Sequence, residues 1–153
     1  MVFSPLSQRI REGVVNAKIM TLTNASVAIL ADRHLNMVEG VRGFLETAFS
    51  DVFVVADTQS LLVGAKELKP GLIVFDLSVC TEPVRDLIGL LREASQESRL
   101  IVLTTHEQTA AATAIIDAGV NAVILKRSIA RDLMAGIDAV QQGGRFVSPD
   151  ILQ

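Results

Sequence analysis

Leu72-Ile-Val-Phe75-Asp76 sets four apolar residues in a row and ends them on a carboxylate. The run is short, rich in branched residues and preceded by the helix-stopping Lys69-Pro70-Gly71, so it reads as a buried strand. Three other segments share the plan. Val27-Ala-Ile-Leu-Ala31 ends on Asp32, Leu100-Ile-Val-Leu103 on Thr104, and Ala122-Val-Ile-Leu125 on Lys126. Val52–Ala56 supplies one more strand. Helical spacing fills the intervals: Val38, Val41, Leu45 and Phe49; Leu61, Leu62, Ala65 and Leu68; Leu87, Leu90, Leu91 and Ala94; Ala111, Ala114, Ile115 and Ala118, closed by Gly119. A last helix, with Ser128 as N-cap and Leu133, Ile137 and Val140 inward, ends at Gly143-Gly144.

Continuous apolar strands alternating with amphipathic helices predict a parallel sheet covered on both faces by right-handed crossovers. The expected fold is α/β, a flavodoxin-like (βα)5 doubly wound sheet with strand order 2-1-3-4-5. In that order the first and third strands are neighbours, and ligands bind outside the carboxyl ends of the strands at the switch point. Asp32 and Asp76 are then expected to face each other, with Thr104 and Lys126 in the same crevice. The expected organisation is an N-terminal extension over 1–25, a short helix or a disordered lead-in, then one domain over 26–144. Residues 145–153 would begin a linker.

Composition narrows the function. A chain of 153 residues with half of them hydrophobic can bury a core without staples. A net charge of −3 argues against tight nucleic-acid binding by this chain alone. The absence of Trp and Tyr argues against base-stacking platforms. Cys80 is the single cysteine, which excludes an intramolecular disulfide and a Cys-rich zinc site. Met1–Asn24 is interrupted by Gln8, Arg9, Arg11, Glu12, Asn16 and Lys18, unlike a signal peptide, and no uncharged run is long enough for a span. A cytoplasmic protein without a membrane partner is the expectation.

The pattern as a whole resembles the receiver domain of bacterial two-component response regulators, the CheY-like superfamily, most closely the subfamily carrying a LuxR/FixJ-type helix-turn-helix output domain. The resemblance runs from Ser26 to about Pro149. It rests on Ile29-Leu-Ala-Asp32-Arg-His34, Glu39-Gly-Val-Arg42, Val74-Phe-Asp76-Leu77, Ile101-Val-Leu-Thr104-Thr105, Ala118-Gly119, Ile124-Leu-Lys126 and Gly143-Gly-Arg-Phe-Val-Ser-Pro149. Each motif is weak alone, and their order and spacing together are specific. The resemblance implies a phosphoryl group taken on Asp76, from a sensor histidine kinase or phosphotransfer protein. It implies Mg²⁺ held by Asp32, Asp76 and the backbone carbonyl of Ser78. It also makes Thr104 the hydroxyl that moves toward the phosphoryl group and Lys126 the cation that pairs with it. It further implies a homodimer, and DNA as a partner only through an output domain that this chain does not include.

Several positions depart from the family. The second acid of the metal-holding pair falls on Arg33, and the aromatic switch residue falls on Val123. Leu35 replaces a frequent Pro, and Val79-Cys80 replaces a Met-Pro pair. An ordinary pocket of three carboxylates and one lysine carries two negative charges, which a divalent ion balances. Asp32, Asp76, Lys126 and Arg33 together sum to zero. The expectation is that Arg33 pairs with Asp32 or Asp76 and weakens the Mg²⁺ site. Val123 has one stiff rotamer and little reach as a switch. Two modes of action stay open: an inducible receiver, or an atypical one that works without phosphorylation. His34 reads as a loop residue packing over the site, and His106 as a solvent-facing one. Cys80 reads as an inert small hydrophobe.

The competing class is a small flavodoxin-like enzyme or phosphatase with an aspartyl nucleophile. A phosphatase of the haloacid-dehalogenase type places a second acid two residues after the nucleophile, and that position is Ser78. A dinucleotide or flavin site needs a glycine-rich or phosphate-cradling first turn, and Ala31-Asp-Arg-His-Leu35 has no glycine. The signalling reading, not an enzyme, is the one the sequence favours.

Overall fold

A computed structural model describes residues 24–151; the expected extension over 1–25 lies outside the described residues apart from Asn24 and Ala25, which begin the first strand. Five strands and five helices alternate as the sequence reading predicts. They are β1 (Asn24–Ala31), α1 (Leu35–Glu46), β2 (Asp51–Val55), α2 (Thr58–Leu68), β3 (Pro70–Asp76), α3 (Val84–Ala94), β4 (Arg99–Thr104), α4 (Thr109–Asp117), β5 (Ala122–Leu125) and α5 (Ile129–Gln141). Every strand pairing is parallel, and the order is β2-β1-β3-β4-β5-β6. The sixth strand, β6 (Phe146–Val147), was not foreseen.

Period-two alternation divides the strands between two cores. Ile29, Ala31, Ile73, Phe75, Leu100, Val102, Val123 and Leu125 face α2, α3 and α4. Ala28, Leu30, Leu72, Val74, Ile101, Leu103, Ala122 and Ile124 face α1 and α5. β2 departs from the buried pattern. It is an edge strand, and Phe53 and Val54 remain exposed because the helices do not fully cover it.

Caps and turns hold the layers in place. Asp57 caps α2, its side chain accepting from the Ser60 N–H at 2.7 Å. Gly119 takes φ +117° after α4, a conformation that a side chain resists, in line with its expected role as the C′ residue. The half-buried Arg92 guanidinium ties α3 to the loop before β5. It donates to Ser98 O, Gly119 O and Asn121 Oδ1.

The segment read as the start of a linker folds back on the sheet. β6 pairs with β5, so the edge that five strands would leave open is covered. Ser148 is fully buried, and its Oγ accepts from the Leu125 N–H at 2.9 Å. Asp150 takes contacts from Arg127 and Arg131, and Ile151 is buried in the core.

Asp132, in the first turn of α5, is buried and accepts two hydrogen bonds from Arg131. Those bonds, with help from the Ser148 and Ser128 hydroxyls, hold its carboxyl below the usual carboxylate range. A depressed folded-state value means the stabilisation is present above about pH 4 and fades as pH falls below it. Asp132→Asn is expected to cost about 1 kcal/mol at pH 7. The difference from wild type should shrink in acid, which urea melts across pH 3–7 will measure.

Candidate functional site

The carboxyl ends of β1, β3, β4 and β5 bring the four polar strand-end residues to one rim. β1 and β3 are adjacent where the strand order reverses, so Asp32 and Asp76 meet at the switch point. Both carboxylates are almost fully buried, at 2% and 4% exposure. Lys126 reaches between them, with Nζ 3.0 Å from Asp76 Oδ1 and 3.8 Å from Asp32 Oδ2. The buried Thr104 ends β4, the strand between β3 and β5.

The same local device shapes three of these strand ends. Asp32 Oδ1 accepts from the His34 N–H at 2.8 Å, and Asp76 Oδ2 from the Ser78 N–H at 3.0 Å. Thr104 Oγ1 accepts from the His106 N–H at 3.0 Å. A short polar side chain that bonds the backbone two residues on turns the chain sharply. Each residue therefore ends its strand and is held in place by the turn it makes. The sequence signal for the site and the signal for the turn are the same residue.

Arg33 requires a correction. It is exposed and forms no ion pair among the described residues, so the expected pairing with Asp32 or Asp76 is not made. The turn at Asp32 places Arg33 at the bend, where its guanidinium keeps its hydration. Burying it beside Lys126 would instead desolvate two cations together. The charge count changes with it. Two carboxylates and one ammonium leave the pocket with one net negative charge rather than none.

His34 takes the place beside the acids. Its Nδ1 lies 3.3 Å from Asp32 Oδ1 and 3.8 Å from Asp76 Oδ2, while its side chain stays 61% exposed. It packs over the site, as its place in the loop led us to expect. One ligand-capable atom each from Asp32, His34 and Asp76 lies within 4.8 Å of the others. The sequence reading set His34 aside as a ligand because no second histidine is near. The missed signal was its place two residues after Asp32, where the turn folds it back over the carboxylate.

Ser78 follows Asp76 in a short 3-10 turn (Leu77–Val79), and its Oγ is buried without a hydrogen-bond partner. Val123 is fully buried in β5, between Val102 of β4 and Val147 of β6. His106 is exposed. Cys80 is half-buried, and burial, with the nearby Glu82 and Asp76 charges, pushes its thiol up to about 11. That leaves it with at least about a hundredfold less thiolate at neutral pH than an ordinary thiol. Cys80 should react correspondingly slowly with iodoacetamide at pH 7.5; labelling at the rate of free cysteine would contradict this.

The response regulator receiver domain model matches residues 27–138. The chain belongs to that family. It is a receiver domain of the two-component type. Over 127 residues it is 26% identical to the response regulator protein VraR of Staphylococcus aureus, covering 81% of this chain and 60% of VraR. The chain thus spans about three fifths of the length of the curated relatives it matches. A two-component response regulator of the LuxR family from Aurantimonas sp. SI85-9A1 superposes with a TM-score of 0.75 at 26% identity, over 85% of this chain and 94% of that one. RcsB from Salmonella enterica serovar Typhimurium, bound to promoter P1flhDC in the presence of the phosphomimetic BeF3⁻, superposes at 0.70 with 26% identity, over 84% of this chain and 65% of RcsB. No helix among the described residues is long and apolar enough to cross a membrane.

Proposed function

We propose that this receiver works as an atypical module in which Asp76, the phosphoacceptor position, is a poor substrate for ordinary Mg²⁺-dependent phosphorylation. On this reading it acts in the cytoplasm and is not an enzyme. It controls homodimerisation or an attached helix-turn-helix domain, and DNA is a partner only through that domain. A sensor kinase or phosphotransfer protein remains the partner that the family implies.

The observation that carries this reading is the composition of the pocket: two carboxylates that share the Lys126 ammonium, and no third acid beside them among the described residues. Mg²⁺ demands near-octahedral oxygen ligands and gives up water reluctantly. Asp32, Asp76 and the Ser78 carbonyl offer fewer anionic oxygens than that, and the neighbouring donor is a nitrogen. Asp32 Oδ2 is buried without a hydrogen bond, with the Lys126 ammonium 3.8 Å away, and the donors present do not fit Mg²⁺ well. Val123 supports the same conclusion. A fully buried valine between two strands has no ring to carry a change from the pocket to the surface.

The parts that remain have physical roles. Lys126 neutralises Asp76 and holds the ends of β3 and β5 together. Thr104 presents its hydroxyl on a braced turn. Such a pocket can bias two arrangements of its loops if a ligand binds one better than the other. Incubation with acetyl phosphate and Mg²⁺, followed by intact-mass analysis, tests the proposal. Little or no phosphoryl addition is expected. Near-complete addition of one phosphoryl, lost in Asp76→Asn, would overturn it. Multiple turnover of a phosphate ester would favour the enzyme class instead.

A further inference from the structure

We infer that the Asp32–His34–Asp76 cluster is a site for a divalent transition metal that accepts imidazole nitrogen, such as Zn²⁺ or Ni²⁺, in preference to Mg²⁺. The inference deepens the proposed function by naming a ligand for the same pocket. It stands whether or not Asp76 is phosphorylated, because it rests on the donor set.

The geometry divides the oxygens of the two carboxylates between Lys126 and His34. Lys126 Nζ addresses Asp76 Oδ1 and Asp32 Oδ2. The other two oxygens, Asp32 Oδ1 and Asp76 Oδ2, face His34 Nδ1 at 3.3 and 3.8 Å. Donors held about 2.1 Å from one tetrahedral ion lie about 3.4 Å apart. The two nitrogen–oxygen distances already present are therefore close to those of ligands sharing an ion, and one oxygen of each acid lies within 4.8 Å of the other's. Each of these oxygens accepts one backbone hydrogen bond, from His34 or Ser78, and a carboxylate oxygen has a second lone pair free. Those backbone bonds orient the ligands from outside, as second-layer contacts do in metal sites.

Charge points the same way. After Lys126 the pocket keeps one negative charge, and Asp32 Oδ2, buried without a hydrogen bond, has only the ammonium 3.8 Å away to compensate it. A desolvated carboxylate short of partners favours a cation. Two carboxylates with one imidazole make a mixed oxygen and nitrogen set, which suits zinc and nickel better than magnesium. The open side of His34 leaves an entry path and room for water ligands.

Titration calorimetry of the full chain with ZnCl2, NiCl2 and MgCl2 tests this. One Zn²⁺ or Ni²⁺ per chain is expected, bound at least about tenfold more tightly than Mg²⁺, and His34→Asn should weaken that binding about 10–100-fold while leaving Mg²⁺ unchanged. His106→Asn and Cys80→Ser, which replace the other histidine and the cysteine among the described residues, should bind as wild type does. His34 is largely exposed, so its variant should fold, and a thermal melt checks this. Zn²⁺ should raise the melting temperature of wild type and not of His34→Asn. Equal affinity for Mg²⁺ and Zn²⁺, or Zn²⁺ binding untouched by His34→Asn, would overturn the inference. Efficient phosphorylation of Asp76 with Mg²⁺ would instead overturn only the proposed function.

Discussion

Arg33→Asp is expected to raise the affinity of the pocket for Mg²⁺ at least tenfold and to make Asp76 accept a phosphoryl group from acetyl phosphate. The family places its second acid at this position, next to the buried Asp32. Wild type has an exposed guanidinium there instead, so the substitution removes one positive charge and adds one negative one. Even at the dielectric of bulk water, two unit charges about 4 Å apart interact by about 1 kcal/mol, and a divalent ion doubles that. The added carboxylate beside a divalent ion is therefore ample for a tenfold gain. It would restore the two negative charges of an ordinary receiver pocket. Calorimetry with Mg²⁺ and intact-mass analysis read the two effects separately. If Mg²⁺ binding stays at the wild-type level, the weakness of the pocket has another source than the lost acid.

Lys126→Met should carry the largest stability cost of any single change at the site. Its ammonium is 3.0 Å from Asp76 and 3.8 Å from Asp32, and both carboxylate side chains are nearly inaccessible to water. Removing the cation leaves two buried like charges facing each other, and breaking a buried pair in this way costs about 3–5 kcal/mol. Against a total of about 5–15 kcal/mol, that is a large fraction. The companion variant Asp32→Asn removes one of the opposing charges. Combined with Lys126→Met it should recover part of the loss, a coupling expected only of residues in direct contact. Urea unfolding at pH 7 measures both. A loss below about 1 kcal/mol for Lys126→Met would mean that solvent, not the lysine, compensates the two acids.

Much of this could be read from residues alone. Short apolar runs ending on Asp32, Asp76, Thr104 and Lys126 marked both the strands and the rim where those side chains converge, because in a parallel sheet every strand ends on the same side. Arg33 and His34 were harder. They are consecutive residues in one loop, and the sequence does not say which of them turns inward. The turn made by the Asp32 carboxylate decided it, folding His34 back over the acids and leaving Arg33 in water.

The element order, the switch point and the strand-end acids follow from the chain's own periodicities. Apolar spacing of two and of three to four is a local property that survives without its context. Phe146–Val147 gave no such signal, since a two-residue strand is too short to have a period and exists only because the edge of β5 was open to it. The same holds for the pocket. Its residue types are written in the sequence, while its net charge and third donor depend on which way two loop side chains point. That choice is made by desolvation and turn geometry in the folded protein.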